Sequence, residues 1–307
     1  MIHETTRRDF LAILSALPMA GLAHRLAFVR QAMPSRPIPI SGERLPVVGL
    51  GSSKVVQEIA ANGEDPVRQV LRVFVANGGK VVDTWPRNAS NDGAFGRVIN
   101  EAEFRDRLFV TTKIDQVGKD AGLAQLEQSQ QLYGRTVIDL AQIFSLTDVD
   151  THWPTLRDWK ESGRARYIGV TVSEPRRHAD LGAFLERERP DVIQTNYSIT
   201  ERQAEDRLIP RAVDRGAAVV INRPFMNGAY FKRLEGTPLP QWATEFGART
   251  WAHFSLKYIL SNPNVTCVLT ETSNPKHMEE NAQAALGPMP DEAARRRMRE
   301  FIDTLAV

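Results

Sequence analysis

The run KVVDT, Lys80 to Thr84, decides how the rest of the chain is read: a valine pair closed by two polar residues and followed by a helical stretch. Seven other segments share that form. They are LPVVGLGSS (Leu45 to Ser53), LFVTTK (Leu108 to Lys113), LAQIFSL (Leu140 to Leu146), ARYIGVTV (Ala165 to Val172), VIQTNYS (Val192 to Ser198), AAVVINRPF (Ala217 to Phe225) and VTCVLTE (Val265 to Glu271). Short apolar runs separated by amphipathic segments read as parallel strands buried on both faces. Eight of them in one chain imply an α/β fold, a single (β/α)8 barrel of the TIM type, with its chemistry at the carboxyl ends of the strands. The polar residues that close the runs therefore collect at one mouth.

The intervening stretches read as helices over 65–77, 94–102, 122–132, 153–162, 174–188, 199–215, 250–261, 275–285 and 291–305. The Gly- and Pro-containing segment from Phe225 to Phe246 reads as a mobile loop over the mouth. A chain of 307 residues, 42 % apolar and 25 % charged, suffices for one large core, and barrels of this class run at roughly 250 residues. A formal charge of +2 with scattered Lys and Arg argues against nucleic acid as a partner. Arg295 to Arg297 read as a solvated helix face. Cys267, the only cysteine, excludes an intramolecular disulfide and reads as a buried barrel residue. No metal site is expected.

The first residues have a different character. Thr6-Arg7-Arg8-Asp9-Phe10-Leu11 resembles a twin-arginine (Tat) export signal, and the apolar stretch Phe10 to Ala23 is too short to span a bilayer but suits a signal h-region. Residues 1–23 are thus expected to be a signal peptide with cleavage after Ala23, 24–40 a linker carrying Pro34, Pro37 and Pro39, and 41–307 the barrel. The expected partners are then the twin-arginine export machinery and a small molecule. The expected location is periplasmic or exported, with no stable membrane span in the mature protein.

In order and spacing the runs resemble the aldo/keto reductase family from about Pro37 to the C-terminus. The matching stretches are LPVVGLGSS, VVDTWPRNASNDGAFGRVI, RLFVTTKI, IDLAQIFSL, GRARYIGVTVS, DVIQTNYS and ETSNPKHMEENAQAA. The resemblance implies hydride transfer from NAD(P)H to a carbonyl, with a tyrosine as proton donor, a lysine that lowers its pKa, an aspartate paired with the lysine and a histidine that orients the substrate. Carried over position by position, the aspartate is Asp83 and the lysine Lys113. The tyrosine position holds Asn88 and the histidine position Phe144. An amide cannot donate a proton on a useful timescale, and proton transfer by a positioned acid is typically worth ~10²–10⁴ in rate. Asp83 and Lys113 read either as a structural ion pair plugging the mouth or as a reused site. Arg87, in the same loop as Trp85 and Asp92, could clamp an anionic substrate, and Tyr197 and Arg223 are other candidate donors.

The family's cofactor positions are retained only in part. Gln194 matches the glutamine that holds the nicotinamide amide, whereas the preceding Ser-Asn pair reads Thr171-Val172 and the stacking aromatic reads Asn222, followed by Arg223. In the last loop the two cations that meet a 2′-phosphate are replaced by Glu271 and His277, while Thr272, Glu280 and Asn281 are kept. A carboxylate there repels a phosphate, so of the NAD(P)H cofactors NAD(H) is expected to be favoured over NADP(H). Three activities stay open: an exported oxidoreductase of carbonyl or anionic substrates with a nonstandard donor, a binding or accessory barrel, and lyase or isomerase chemistry on Asp83 and Lys113.

Overall fold

The computed structural model describes residues 32–305. The signal-like stretch, Arg7 and Arg8 included, and the first part of the expected linker lie outside them. Eight parallel strands close into a barrel: Val48–Gly51, Val81–Asp83, Phe109–Ile114, Ile138–Phe144, Ala165–Thr171, Val192–Asn196, Ala218–Asn222 and Cys267–Glu271. They follow one another in sequence order, and the eighth pairs with the first. Each run anticipated as a strand contributes one, so the (β/α)8 fold stands. No helix among the described residues is long and apolar enough to cross a membrane.

Alternation along each strand sorts the side chains. Val82, Val110, Ala141, Ile143, Ile168, Val170, Ile193, Val219, Ile221 and Val268 face out and pack in the large core under the helices. The inward set forms a second cluster of Val81, Phe109, Leu140, Tyr167, Val192, Ala218, Val220, Cys267 and Leu269, joined by Ile38 and Leu45. Ile38 and Leu45 come from a hairpin in which Ser35–Pro37 pairs antiparallel with Arg44–Pro46. Because most of these inward residues open their strands, the hairpin plugs the amino-terminal end. The expected linker over 24–40 is corrected accordingly. Pro37 ends a paired strand, and Ile38 is fully buried.

Two further corrections concern the mouth. A helix not anticipated from the sequence, Ser53–Asn62, follows the first strand directly, buries Val55, Val56 and Ile59, and ends at Gly63 with φ 70°. The segment read as a mobile loop, 225–246, carries a short helix (Ala229–Arg233) and two 3-10 turns, Met226–Gly228 and Gln241–Phe246. Aromatic packing holds it down: Tyr230 is fully buried and donates from its hydroxyl to the Trp251 carbonyl, and Trp242 packs on Phe246, Phe254 and Phe301. The expected helix over 199–215 is broken at Arg207 into Gln203–Asp206 and Leu208–Asp214.

Candidate active site

The strands' carboxyl ends surround a cavity of about 400 Å³. Its floor is largely polar because inward residues near the strand ends, Gly51, Asp83, Lys113, Phe144, Gln194, Asn222 and Glu271, line it. The Lys113 ammonium donates to Asp83 Oδ2 at 2.6 Å and to the Thr84 carbonyl at 3.0 Å, while the Thr111 hydroxyl donates to Asp83 Oδ1 at 2.6 Å. The pair is nearly dry, with side chains 5 % (Lys113) and 13 % (Asp83) exposed. An ammonium has three donors. Two are engaged, which leaves one N–H for the cavity that Lys113 lines.

The positions aligned with the missing donor and orienting group behave differently from each other. Phe144 lines the cavity, and the Trp85 ring lies on it at 3.9 Å between centroids. The Arg87 guanidinium lies over the Trp85 ring at 3.1 Å from its centroid, so it is engaged in the loop. Asn88 is corrected: it is exposed and caps the helix Ala89–Ile99, its Oδ1 accepting from the Asn91 amide at 3.1 Å. Asp92, buried in the first turn of that helix, accepts from the backbone N–H of Arg87 and of Asn88, both at 2.8 Å. Neither Asn88 nor Asp92 lines the cavity. Tyr197, the other phenol considered, is fully buried against Tyr258 and Arg295 and also lies outside it. Burial pushes its hydroxyl far above the ordinary tyrosine range.

Across the mouth, the Thr171 hydroxyl donates to Gln194 Oε1 at 2.7 Å, and Asn222 Nδ2 donates to the Val172 carbonyl at 2.9 Å. These bonds fix both amides and leave Gln194 Nε2, a donor, and Asn222 Oδ1, an acceptor, buried without a partner. Unpaired buried polar groups are costly and uncommon. A donor and an acceptor on neighbouring strands, lining one cavity, complement a primary carboxamide, the group by which a nicotinamide would be held. The residues therefore fit that group. Arg223 lines the same wall, donating to the Ser173 carbonyl with its Nε unpartnered. Its φ of 54°, with Met226 at 51° and Asn227 at 56°, puts three non-glycine residues in the left-handed region just past the seventh strand, a strain that clusters at functional sites.

The last loop is only partly in contact with the cavity. Glu271 and His277 line it; Thr272, Glu280 and Asn281 do not. Thr272 builds a turn by accepting from the Asn274 amide, the Glu280 carbonyl meets the His253 ring, and Asn281 is buried in Pro275–Gln283. Glu271 is the larger departure. Its side chain leans over Gly51 and lines the cavity while staying open to solvent, and partial desolvation, with Asp83 adding to it, raises its carboxyl above the usual range. Sequence reasoning also missed Gln142, whose inward amide lies beside Lys113 in register, buried and unpartnered on both atoms.

Comparison with known proteins agrees with this architecture. The sequence model of the aldo/keto reductase family matches residues 47–299. The L-glyceraldehyde 3-phosphate reductases of Escherichia coli K12 and O157:H7 are each 25 % identical over 302 residues, covering 80 % of this chain and 85 % of theirs. The holo form of an aldo-keto reductase from Bacillus halodurans superposes with a TM-score of 0.71 at 20 % identity, over 88 % of this chain and 96 % of its own. An aldo-keto reductase from Klebsiella pneumoniae in complex with NADPH gives 0.68 at 18 %, over 85 % and 92 %. A match that runs from before the first barrel strand into the last helix, on a closed eight-stranded barrel, makes this chain a member of the aldo/keto reductase family of nicotinamide-dependent oxidoreductases.

Proposed function

We propose that this protein interconverts a small carbonyl compound and its alcohol with a nicotinamide cofactor, and that Lys113, not a tyrosine, contacts the carbonyl oxygen. One observation carries the reading: the free N–H of the Lys113 ammonium shares a cavity with the unpartnered Gln194–Asn222 amide pair. Gln194 and Asn222 would hold the carboxamide, and a dihydronicotinamide bound there supplies the hydride. Lys113 then stabilises negative charge developing on the oxygen, as preorganised donors in dry sites do. Asp83 keeps Lys113 in place, and Thr111 keeps Asp83 in place. Trp85, Phe144, Phe225 and Phe231 give the cavity apolar walls that favour an apolar or aromatic carbonyl.

NADH is the expected partner over NADPH. No Lys or Arg stands at 277, and Ser273 in that loop donates to the Glu58 carboxylate at 2.6 Å, which places a negative charge in the loop expected to meet a 2′-phosphate. Titration by quenching of tryptophan fluorescence is expected to give a lower Kd for NADH. His277→Arg should narrow the gap by about tenfold, the worth of one ~1.4 kcal/mol charge contact. Equal affinities in the parent protein would remove the preference, and binding of neither dinucleotide would return the barrel to the role of a binding protein.

Export by the twin-arginine route belongs to the same proposal and rests on Arg7, Arg8 and the apolar stretch to Ala23. That machinery reads the guanidinium pair as an address. Replacing both arginines by lysine should hold the protein in the cytoplasm of a host with the pathway, as fractionation would show; unchanged export would remove this part.

A further inference from the structure

We propose that Glu271 is the proton donor of this site, taking the place of the phenol that the second-strand loop lacks. The inference rests on the reading above and adds the acid that Lys113, held by Asp83, does not have to supply. It begins with the first strand, whose inward positions are Gly49 and Gly51. A Cβ on Gly49 would stand 2.8 Å from Leu269 Cδ2, and one on Gly51 only 2.7 Å from Glu271 Cγ and 3.2 Å from Oε1. The first strand therefore offers no side-chain volume, and successive inward residues of the eighth lean across it to fill the space.

Register carries Glu271 toward the ion pair. Glu271 stands opposite Gly51, and Gly51 stands opposite Asp83, so the three form one row over the eighth, first and second strands. Adjacent strands lie about 4.8 Å apart, and only the bare Gly51 separates the two carboxylates. Continuing round the mouth, Lys113 follows on the third strand. The groups facing Glu271 are the Ser53 hydroxyl and Lys54 from the helix after the first strand, Asp83 and Lys113; Arg223 and His277 line the same cavity. Partial desolvation at the cavity wall first, then Asp83, raises the Glu271 carboxyl, against the Ser53 hydrogen bond and the two lysines. A carboxyl whose pKa is raised, lining the cavity that Lys113 also lines, is suited to act as a general acid.

The chemistry balances. With a dihydronicotinamide held by Gln194 and Asn222 supplying the hydride to the carbonyl carbon, the C=O π pair would take the Glu271 proton to form the alcohol O–H. Glu271 is left as carboxylate and regains its proton from water. The carbon gains two electrons and the cofactor loses two. In the oxidising direction the carboxylate is the base.

Glu271→Gln keeps the shape and removes the proton. It should lower kcat for an activated aromatic aldehyde by ~10²–10⁴ while NADH binding stays within about tenfold. The parent rate should fall tenfold per pH unit above the Glu271 pKa, and the variant should lose that limb. The second readout does not need turnover. In ¹³C-glutamate-labelled protein the Glu271 carboxyl, assigned by its loss in Glu271→Gln, should titrate above ordinary glutamates and move down in Asp83→Asn. Gly51→Ala, which displaces Glu271, should return it toward the ordinary range. A Glu271→Gln protein that binds and oxidises NADH with the parent rate and pH profile overturns this assignment alone, as does a carboxyl that titrates normally and ignores Asp83→Asn. Failure of the parent protein to bind either dinucleotide would overturn both readings.

Discussion

Lys113→Met is expected to abolish most turnover and to unfold the protein more easily, and both effects follow from one geometry. Lys113 Nζ lies 2.6 Å from Asp83 Oδ2 with both side chains almost out of water. Removing the cation leaves Asp83 with only the Thr111 hydroxyl. Breaking a buried pair by deleting one partner costs about 3–5 kcal/mol, because an uncompensated charge stays in low dielectric. Asp83→Asn with Lys113→Met should recover a large part of that loss, since neither charge remains. Turnover should not recover: the donor to the carbonyl oxygen is gone in both proteins, at ~10²–10³ in kcat. Urea unfolding and single-turnover oxidation of NADH separate the two effects. A stable Lys113→Met protein with normal turnover would reduce the pair to surface chemistry.

The strands were legible because their demands on sequence are strict. A parallel strand covered on both faces must be apolar except where its carboxyl end opens to the mouth, so KVVDT and LFVTTK announce Asp83 and Lys113 as neighbours before any contact is seen. Their 2.6 Å separation is the register of the second and third strands, in which Asp83 opposes Thr111. The hairpin that plugs the barrel was not legible, since three prolines over 34–39 look like a linker until Ile38 is found buried against barrel residues. The helix Ser53–Asn62 escaped notice behind a strand motif that ran into it without a break.

The site was misread where one residue's path depends on another's absence. Counting along the loop after the second strand reaches Asn88, but the count does not reveal that the helix begins at Ala89 and that Asn88 is spent as its cap. Glu271 read as a carboxylate that repels a 2′-phosphate. Its course over the barrel mouth is set by Gly51, far away in sequence but adjacent in the sheet. Side-chain direction at a barrel mouth is decided by what the neighbouring strand leaves empty.

The same packing decides what a rebuilt family pattern would do. Asn88→Tyr with Phe144→His restores the residues that the resemblance calls for, yet it is expected to leave turnover unchanged. The Trp85 ring lies 3.9 Å from that of Phe144, with Arg87 over it, and both rings line the cavity on the side of the loop that carries position 88. A phenol at 88 starts from an exposed cap position, and losing the Asn91 hydrogen bond costs about 1 kcal/mol of helix capping. Trimming the obstacle should change the result. With Trp85→Ala added, the tyrosine can turn toward Lys113, whose third N–H can lower its pKa, and turnover of an activated aldehyde with NADH should rise by up to ~10²–10⁴. In that triple variant the rate should depend less on Glu271, because a second acid competes for the same oxygen; adding Glu271→Gln should then cost less than in the parent. A gain already present in the double variant would mean that a phenol passes Trp85 unaided. No gain in a triple variant that folds and binds NADH would mean that Lys113 does not face the carbonyl at all.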